Sequence, residues 1–464
     1  MDLTVEATPI PGLLVLRIPL HADARGWFKE NWQRQKMTEL GLPDFGPVQN
    51  NVSFNARRGA TRGIHAEPWD KLVSITSGRA FGAWVDLRRG DSFGSTFHLE
   101  VDPGVAVFVP RGVGNSYQAL EDGTTYSYLV NDHWRAGVAY PALALDDPDA
   151  AIPWPIPLDD AEISDKDLAN PRLADVTPME PRKQLILGAG GQLGRALARV
   201  FPNAERAARD GADMTLDITD EDAVDAWRWQ DYDLVLNAAA YTAVDAAETA
   251  DGRSASWLAN AQAPATLARL AREHRFTLVH YSTDYVFDGR TDEHEETEPL
   301  SPLGAYGQSK AAGDLAVSTA PRHYVLRTAW VIGDGRNFVR TMQDLARRGA
   351  SPDVVDDQLG RLTFADELAR ATRHLVTTGA PFGTYNVTNG GPATTWADAA
   401  REVFRLTGRE PDDVRRTSTE AYSVGNSLAP RPRHSTLDLA KLRTTGLEPE
   451  DGFTALARYC GQDG

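Results

Sequence analysis

Two groups of side chains in this 464-residue chain are spaced for chemistry. In "AYGQSK", Tyr306 and Lys310 stand four residues apart, which puts them on one face of a helix. A tyrosine hydroxyl, with an ordinary pKa of about 10, is a poor acid–base group near neutrality. A neighbouring ammonium would stabilise its phenolate and bring that value down. The spacing alone is common on ordinary helices. It gains weight from "HYSTDYVFDG" upstream, an apolar run ending in Ser282, Thr283 and Asp284. At the C-terminal end of a sheet strand such groups face a ligand, so Thr283 could hydrogen-bond a carbonyl oxygen while Tyr306 protonates it. Earlier still, Gly188, Gly191 and Gly194 form G-x-x-G-x-x-G, with Gly190 as an extra glycine, between the strand-like "QLIL" and the helix-like "RALARVF". Glycines there let the backbone turn tightly and approach a pyrophosphate resting on the helix N-terminus. Arg206 and Arg209 follow where a 2′-phosphate could be met, which leans the cofactor towards NADPH over NADH. Asp217 and Ile218 fall where an adenine could rest, although Asp217 could equally cap the next helix.

The second group surrounds His65 in "TRGIHAEPWDKL", with Arg62 three residues before it and Lys71 six after. A lone histidine is more often a structural hydrogen-bonder than a catalyst, but these cations would suit a diphosphate or an enolate. His21, His65, His98 and His133 form no H-x-H pair, so a metal site in this half is not expected.

Different elements must position the two groups. Up to about residue 150, runs of five to eight apolar or alternating residues are broken by turn signals, as expected of an all-β sandwich or barrel. From 148 to 182 the chain is rich in proline and acidic residues, which reads as a strap and then a linker. Beyond it, "QLILGAG", "YDLVLNAAA", "FTLVHYST" and "HYVLRTAWV" alternate with alanine-rich helical stretches, the pattern of a parallel doubly wound sheet. The expected organisation is a β domain over 1–175, a linker over 176–183 and an α/β domain over 184–464. The formal net charge of −17 argues against a nucleic-acid surface, and the single cysteine, Cys460, excludes an intramolecular disulfide. No stretch approaches the about 18 apolar residues of a membrane span and no leader is evident, so a cytoplasmic location with no membrane partner is expected.

The second half resembles the dTDP-4-dehydrorhamnose reductase family, extended short-chain dehydrogenases/reductases, through "GAGGQLG", "NAAAYTAVDAAE", "STDYVFDG", "YGQSK", "RTAWV", "NFV" and "VVDDQLG". The resemblance implies a Rossmann-type fold with a small substrate-binding lobe and hydride transfer from NAD(P)H to the C4 ketone of a dTDP-6-deoxyhexose. Its catalytic trio would be Thr283, Tyr306 and Lys310. Gln192, Leu193, Ala238 and Ala239 would join the glycines at the cofactor, and Tyr241, Thr242, Val244, Asp245 and Trp330 would lie at the sugar. A Mg²⁺ ion at the reductase is left open. One departure is "QLGRLT", where the family has a small residue and then proline after the glycine.

The first half is similar to the dTDP-4-dehydrorhamnose 3,5-epimerases, through "DARGWFKENW", "QNNVS", "RGIH", "KLV", "AWVDLRRGDSFG", "VPRGVGNSY", "YLVNDHW" and "ISDKD". This implies a cupin-like jelly roll. His65 would be the base that removes the proton α to the ketone, Asp167 its orienting carboxylate, Tyr128 the acid on the opposite face and Lys71 the enolate's counter-charge. Arg25, Glu30, Gln49, Asn51 and Arg62 would hold the nucleotide and sugar. Asn115 stands where the family commonly has histidine, which leaves the balance between C3 and C5 epimerisation open. A base and an acid on opposite faces suffice to invert a carbon beside a ketone, so no cofactor is expected here. The implied whole is a two-step enzyme, epimerising and then reducing; both families tend to pair subunits, so a homodimer is expected. Two alternatives stay open: a related deoxysugar product, or a first half that only binds sugar nucleotide.

Overall fold

The computed structural model describes residues 2–133, 140–424 and 428–461, so Trp134 of "YLVNDHW" lies outside the described residues. The chain divides into two compact units between Pro181 and Arg182.

The first unit is a sandwich of two antiparallel sheets. Six strands run in the order Thr4–Ala7, Leu14–Arg17, Val105–Val109, Lys71–Ser77, Thr124–Val130, Gln49–Asn55. Four more run Thr61–His65, Val113–Ala119, Ala80–Asp86, Thr96–Val101. The unbroken apolar run "VAVFV" is explained by burial on both faces. Val105, Val107 and Val109 enter the core between the sheets with Ile10, Trp84 and Tyr126. Ala106 and Phe108 face outwards, under Met37, Leu42 and Phe45. The smaller sheet is covered by the proline-rich strap: Leu143, Leu145, Ala150 and Val176 pack on Ile64, Val85 and Leu87. Met179, in the stretch expected to be linker, donates its N–H to Leu87 O and accepts from Arg89 N, so it is tied to this unit. Lys183 already begins the first strand of the second unit.

That unit is built on a seven-stranded parallel sheet, ordered Met214–Thr215, Glu205–Ala208, Lys183–Leu187, Tyr232–Asn237, Thr277–Thr283, His323–Thr328, Gly383–Asn386. The order reverses beside Lys183–Leu187, the switch point where ligands bind in such sheets. Helices cover both faces, Gln192–Val200 with Ala365–Thr378 on one and Ala263–His274 with Val317 of Ala305–Val317 on the other. A lobe around Phe338–Arg347, Trp396–Leu406 and Gly452–Gly461 has its own core of Met342, Phe364, Val403 and Phe404. Among the described residues no helix is long and apolar enough to cross a membrane.

Candidate active sites

In the first unit His65 ends a strand of the smaller sheet and pairs in register with Asn115. Its Nε2 lies 2.8 Å from Asp167 Oδ1. Asp167 comes from the strap, on the short helix Asp165–Leu168 capped by Ser164, and also accepts the Gly63 N–H at 3.2 Å. Burial would raise its pKa, but the hydrogen bond and charge of His65 and the Gly63 and Ser164 donors outweigh it and hold the carboxyl below the ordinary value.

From the facing sheet comes Tyr128, paired in register with Asn51 and, on the other side, Val73. The Lys71 ammonium sits 5.9 Å from the Tyr128 ring centre and is ion-paired to Glu67, an acid absent from the sequence-level set. Its signal was present, since Glu67 stands four residues before Lys71. Burial and then the Glu67 charge push the Tyr128 hydroxyl up, so it stays protonated. Tyr126 stacks on Tyr117, ring centres 4.0 Å apart, and donates its hydroxyl to Asn115 Oδ1, which also accepts from Trp84 Nε1. Arg62 reaches Asn55, and Gln49 donates to Asn51 while facing His133. Arg25 and Glu30 are placed differently: Arg25 is 90% exposed and paired with Asp23, and Glu30 is paired with Lys36.

In the second unit a cavity of about 1030 Å³ opens over the switch point, lined by Gly188, Gly190, Gly191, Arg195, Arg206, Arg209, Asp217, Ile218, Ala238, Ala239 and Tyr241 among others. The glycines fit a nucleotide cradle. Gly188 has φ +72°, and a Cβ on Gly194 would stand 2.3 Å from Gly188 O, so only glycine lets helix and turn close together. No side chain caps Gln192–Val200, which leaves its first N–H groups to an anion. The Gln192 and Leu193 side chains turn away from the cavity, Gln192 accepting from Gly333 N and Leu193 packing in the core. Asp217 accepts from Thr219, and the next helix is capped by Asp220 instead. Among the described residues no three His, Cys, Asp or Glu side chains are grouped to hold a metal ion, so none is assigned to Mg²⁺.

Thr283 ends its strand buried, donating to Asp284 Oδ1 at 2.9 Å. Tyr306 lies edge-on to Tyr285, and its helix is pressed close because a Cβ on Gly307 would stand 2.3 Å from Tyr285 O. The expected lowering of the Tyr306 pKa is not found. Burial, then the charge of Asp284, pushes it up, and the Thr283 hydrogen bond does not offset the loss of water. Lys310 is the group that moves down, to about 8, through its own burial. Its Nζ donates to Tyr281 O at 2.5 Å. Burial raises Asp284 to about 6. Val244 shares a small cavity with Tyr285, Tyr306 and Pro432. Tyr241 is fixed through its backbone by Asn260, and Asp245 accepts from Ala429 N and Arg431. Thr242 is exposed. Trp330, at φ +47°, stacks on Trp396 with ring centres 3.7 Å apart and lies against Gly360. Arg361, at the departure from the family pattern, pairs with Glu293.

Comparison with known proteins follows the same division. Residues 7–175 match the family model described as dTDP-4-dehydrorhamnose 3,5-epimerase, and residues 182–462 match the RmlD substrate binding domain. The first unit is 46% identical to the RmlC homolog of Streptococcus pyogenes, over 38% of this chain and 92% of that protein. The second is 46% identical to a probable dTDP-4,6-dihydroxy-2-methyloxan-3-one 4-ketoreductase of Streptomyces antibioticus, over 57% of this chain and 90% of that one. A dTDP-4-dehydrorhamnose reductase of Bacillus anthracis, solved in complex with NADP, superposes with a TM-score of 0.54 at 28% identity, covering 61% of this chain and all of that one. The chain therefore belongs to two families at once, the dTDP-4-dehydrorhamnose 3,5-epimerases through its first unit and the RmlD-type dTDP-4-dehydrorhamnose reductases through its second.

Proposed function

We propose that the chain performs two consecutive reactions on one sugar nucleotide. The first unit would epimerise dTDP-4-dehydro-6-deoxy-D-glucose at C3 and C5, and the second would reduce the C4 ketone with NADPH to give dTDP-L-rhamnose. The observation that carries this reading is the His65–Asp167 contact of 2.8 Å, a complete base in the same chain as an intact Thr283, Tyr306 and Lys310. Each set needs the same ketone, first to acidify the neighbouring C–H bonds and then to accept hydride.

Asp167, held charged, keeps the imidazole proton on Nε2 and leaves the Nδ1 lone pair to take the proton α to the ketone. Lys71 offsets the charge that develops on the enolate oxygen, and Tyr128, kept protonated, returns a proton from the facing sheet. In the second unit Tyr306, also kept protonated, gives its proton to the ketone oxygen, which Thr283 orients. The bound nicotinamide supplies the hydride. Lys310 supplies the positive charge that offsets the phenolate left on Tyr306. Arg209 at the cavity favours NADPH, whereas the Arg206 guanidinium is already paired with Asp213; Arg209→Glu should cut kcat/KM for NADPH more than for NADH.

The reading is tested by incubating the protein with dTDP-4-dehydro-6-deoxy-D-glucose and NADPH and identifying the product by NMR. Recovery of unchanged substrate with neither deuterium exchange nor NADPH oxidation would sink it. A second reading, a different C4 configuration or a 3-epimer, is favoured by the 46% identity to another 4-ketoreductase and by Arg361 where the family has a small residue and proline. The same spectrum separates the two. The exposed apolar side chains of Trp27, Phe28, Val52 and Phe54 support a homodimer formed through the first unit, which sedimentation velocity would detect.

A further inference from the structure

Beneath the helix that carries Tyr306 and Lys310 lies a buried polar line that the reaction described above does not use. His280 is 1% exposed, in the central strand Thr277–Thr283, and pairs in register with Asn237 at the end of Tyr232–Asn237, itself 1% exposed. One ring nitrogen, Nε2, is 3.4 Å from Lys310 Nζ, and the other, Nδ1, is 3.2 Å from the Asn237 amide. With its NH₂ turned to the ring, that amide leaves Oδ1 buried without a hydrogen bond. A neutral imidazole cannot accept at both nitrogens, and the two ends of an amide have the same shape. Turning the amide over resolves the conflict at the ring. Asn237 Oδ1 then accepts from Nδ1–H, which fixes the tautomer and leaves the Nε2 lone pair to accept from Lys310. Gly313 allows this closeness, since a Cβ there would stand 2.1 Å from Asn260 O and 3.4 Å from His280 Nε2.

Resting on the reductase reading, we propose that His280, its tautomer set by Asn237, is a positioning residue that holds the Lys310 ammonium in place for cofactor binding and reduction. The count of donors gives the reason. Of three N–H bonds on Lys310, one goes to Tyr281 O and one to His280 Nε2, so a single donor is left for the ligand side. The acceptor is neutral, so it orients the ammonium without cancelling its charge, as a carboxylate in its place would. Burial keeps the ring uncharged, and the Lys310 charge adds to that. The other titratable groups around Lys310 are Tyr306 and Asp314 on its own helix, Asp284 beyond the end of the strand, and Arg327, whose guanidinium is 3.0 Å from Asp314. Since an acceptor at Nε2 favours the charged amine, its removal should lower the pH at which Lys310 loses its proton.

The test uses the full chain and two replacements of similar size, His280→Gln, which keeps an acceptor, and His280→Met, which does not. Two readouts are followed against pH: NADPH binding by fluorescence, and NADPH oxidation with epimerised substrate. For His280→Met the alkaline limb of both should move down by about one pH unit, with kcat falling about tenfold. His280→Gln should recover most of each, and Asn237→Leu should shift the limb in the same direction by less. Unshifted limbs in His280→Met, or equal impairment of the Met and Gln variants, would overturn the proposal, since a packing defect does not discriminate between them. If His280→Met fails to fold, an unshifted limb in Asn237→Leu overturns it instead. A wild-type protein that binds NADPH but reduces no ketosugar would refute the reductase reading, while the binding limb still decides the role of His280.

Discussion

Each unit buries a carboxyl group beside its proposed catalytic residues, and the two have opposite fates. Asp167 is 5% exposed and Asp284 2%, so both pay for leaving water. Asp167 receives His65 and the Gly63 N–H and stays below the ordinary value, whereas Asp284 has mainly the Ser435 and Thr283 hydroxyls and rises to about 6. The difference lies in the donors and in depth, since Asp284 sits farther from solvent. A ring that can carry charge, aided by a backbone N–H, outweighs burial, while neutral hydroxyls do not. The first site can therefore run on a fixed negative charge and a mobile histidine proton. The second holds Tyr306 protonated and keeps a positive charge on Lys310, while Asp284 changes its charge near pH 6.

The comparison can be broken most decisively at the bases themselves. His65→Ala should lower solvent-deuterium incorporation at C3 and C5 by about 10²–10⁴-fold, while reduction of pre-epimerised substrate continues. Tyr306→Phe should do the reverse, leaving exchange intact and stopping NADPH oxidation; parallel loss of both activities in either variant would show structural damage rather than separate sites. Asp167→Asn keeps a hydrogen-bonding group but removes the charge, and should slow exchange by about 10- to 100-fold with no change in NADPH binding. The smallest effect concerns pH. A depressed carboxyl pKa keeps the Asp167 charge down to below the ordinary 3.8, so exchange should show no limb from it between pH 5 and 8. Asp284, raised to about 6, gains its charge as pH rises through that value, close to Tyr306. A few-fold change in reduction rate near pH 6 should therefore vanish in Asp284→Asn, and its persistence would assign the limb to another group.

Much of this was legible in the sequence because periodicity and spacing report local structure directly. "VAVFV" and "FTLVHYST" are buried strands, and Y-x-x-x-K fixes two side chains on one helical face. What spacing could not reveal was the setting in which each group would sit. Tyr306 and Lys310 were read as a couple in which the cation lowers the phenol; burial acts on both, and tertiary contacts direct Lys310 to Tyr281 O and His280. His280 and Asp284 lay within a quoted stretch, yet as part of an apolar strand end neither declared a partner 30 or more residues away. Glu67 was missed for the opposite reason, since its partner was close by and its burial was not foreseen.

The strap has a consequence for anyone wishing to dissect this chain into independently working pieces. A boundary drawn after the last sandwich strand, Thr124–Val130, would look natural from topology and would retain every strand, but it would discard Asp167 together with the apolar cover over Ile64 and Val85. Such a fragment should lose both solubility and the carboxylate that orients its base. The first compact unit extends to Pro181, so a cut that keeps the strap with its sandwich falls before Arg182.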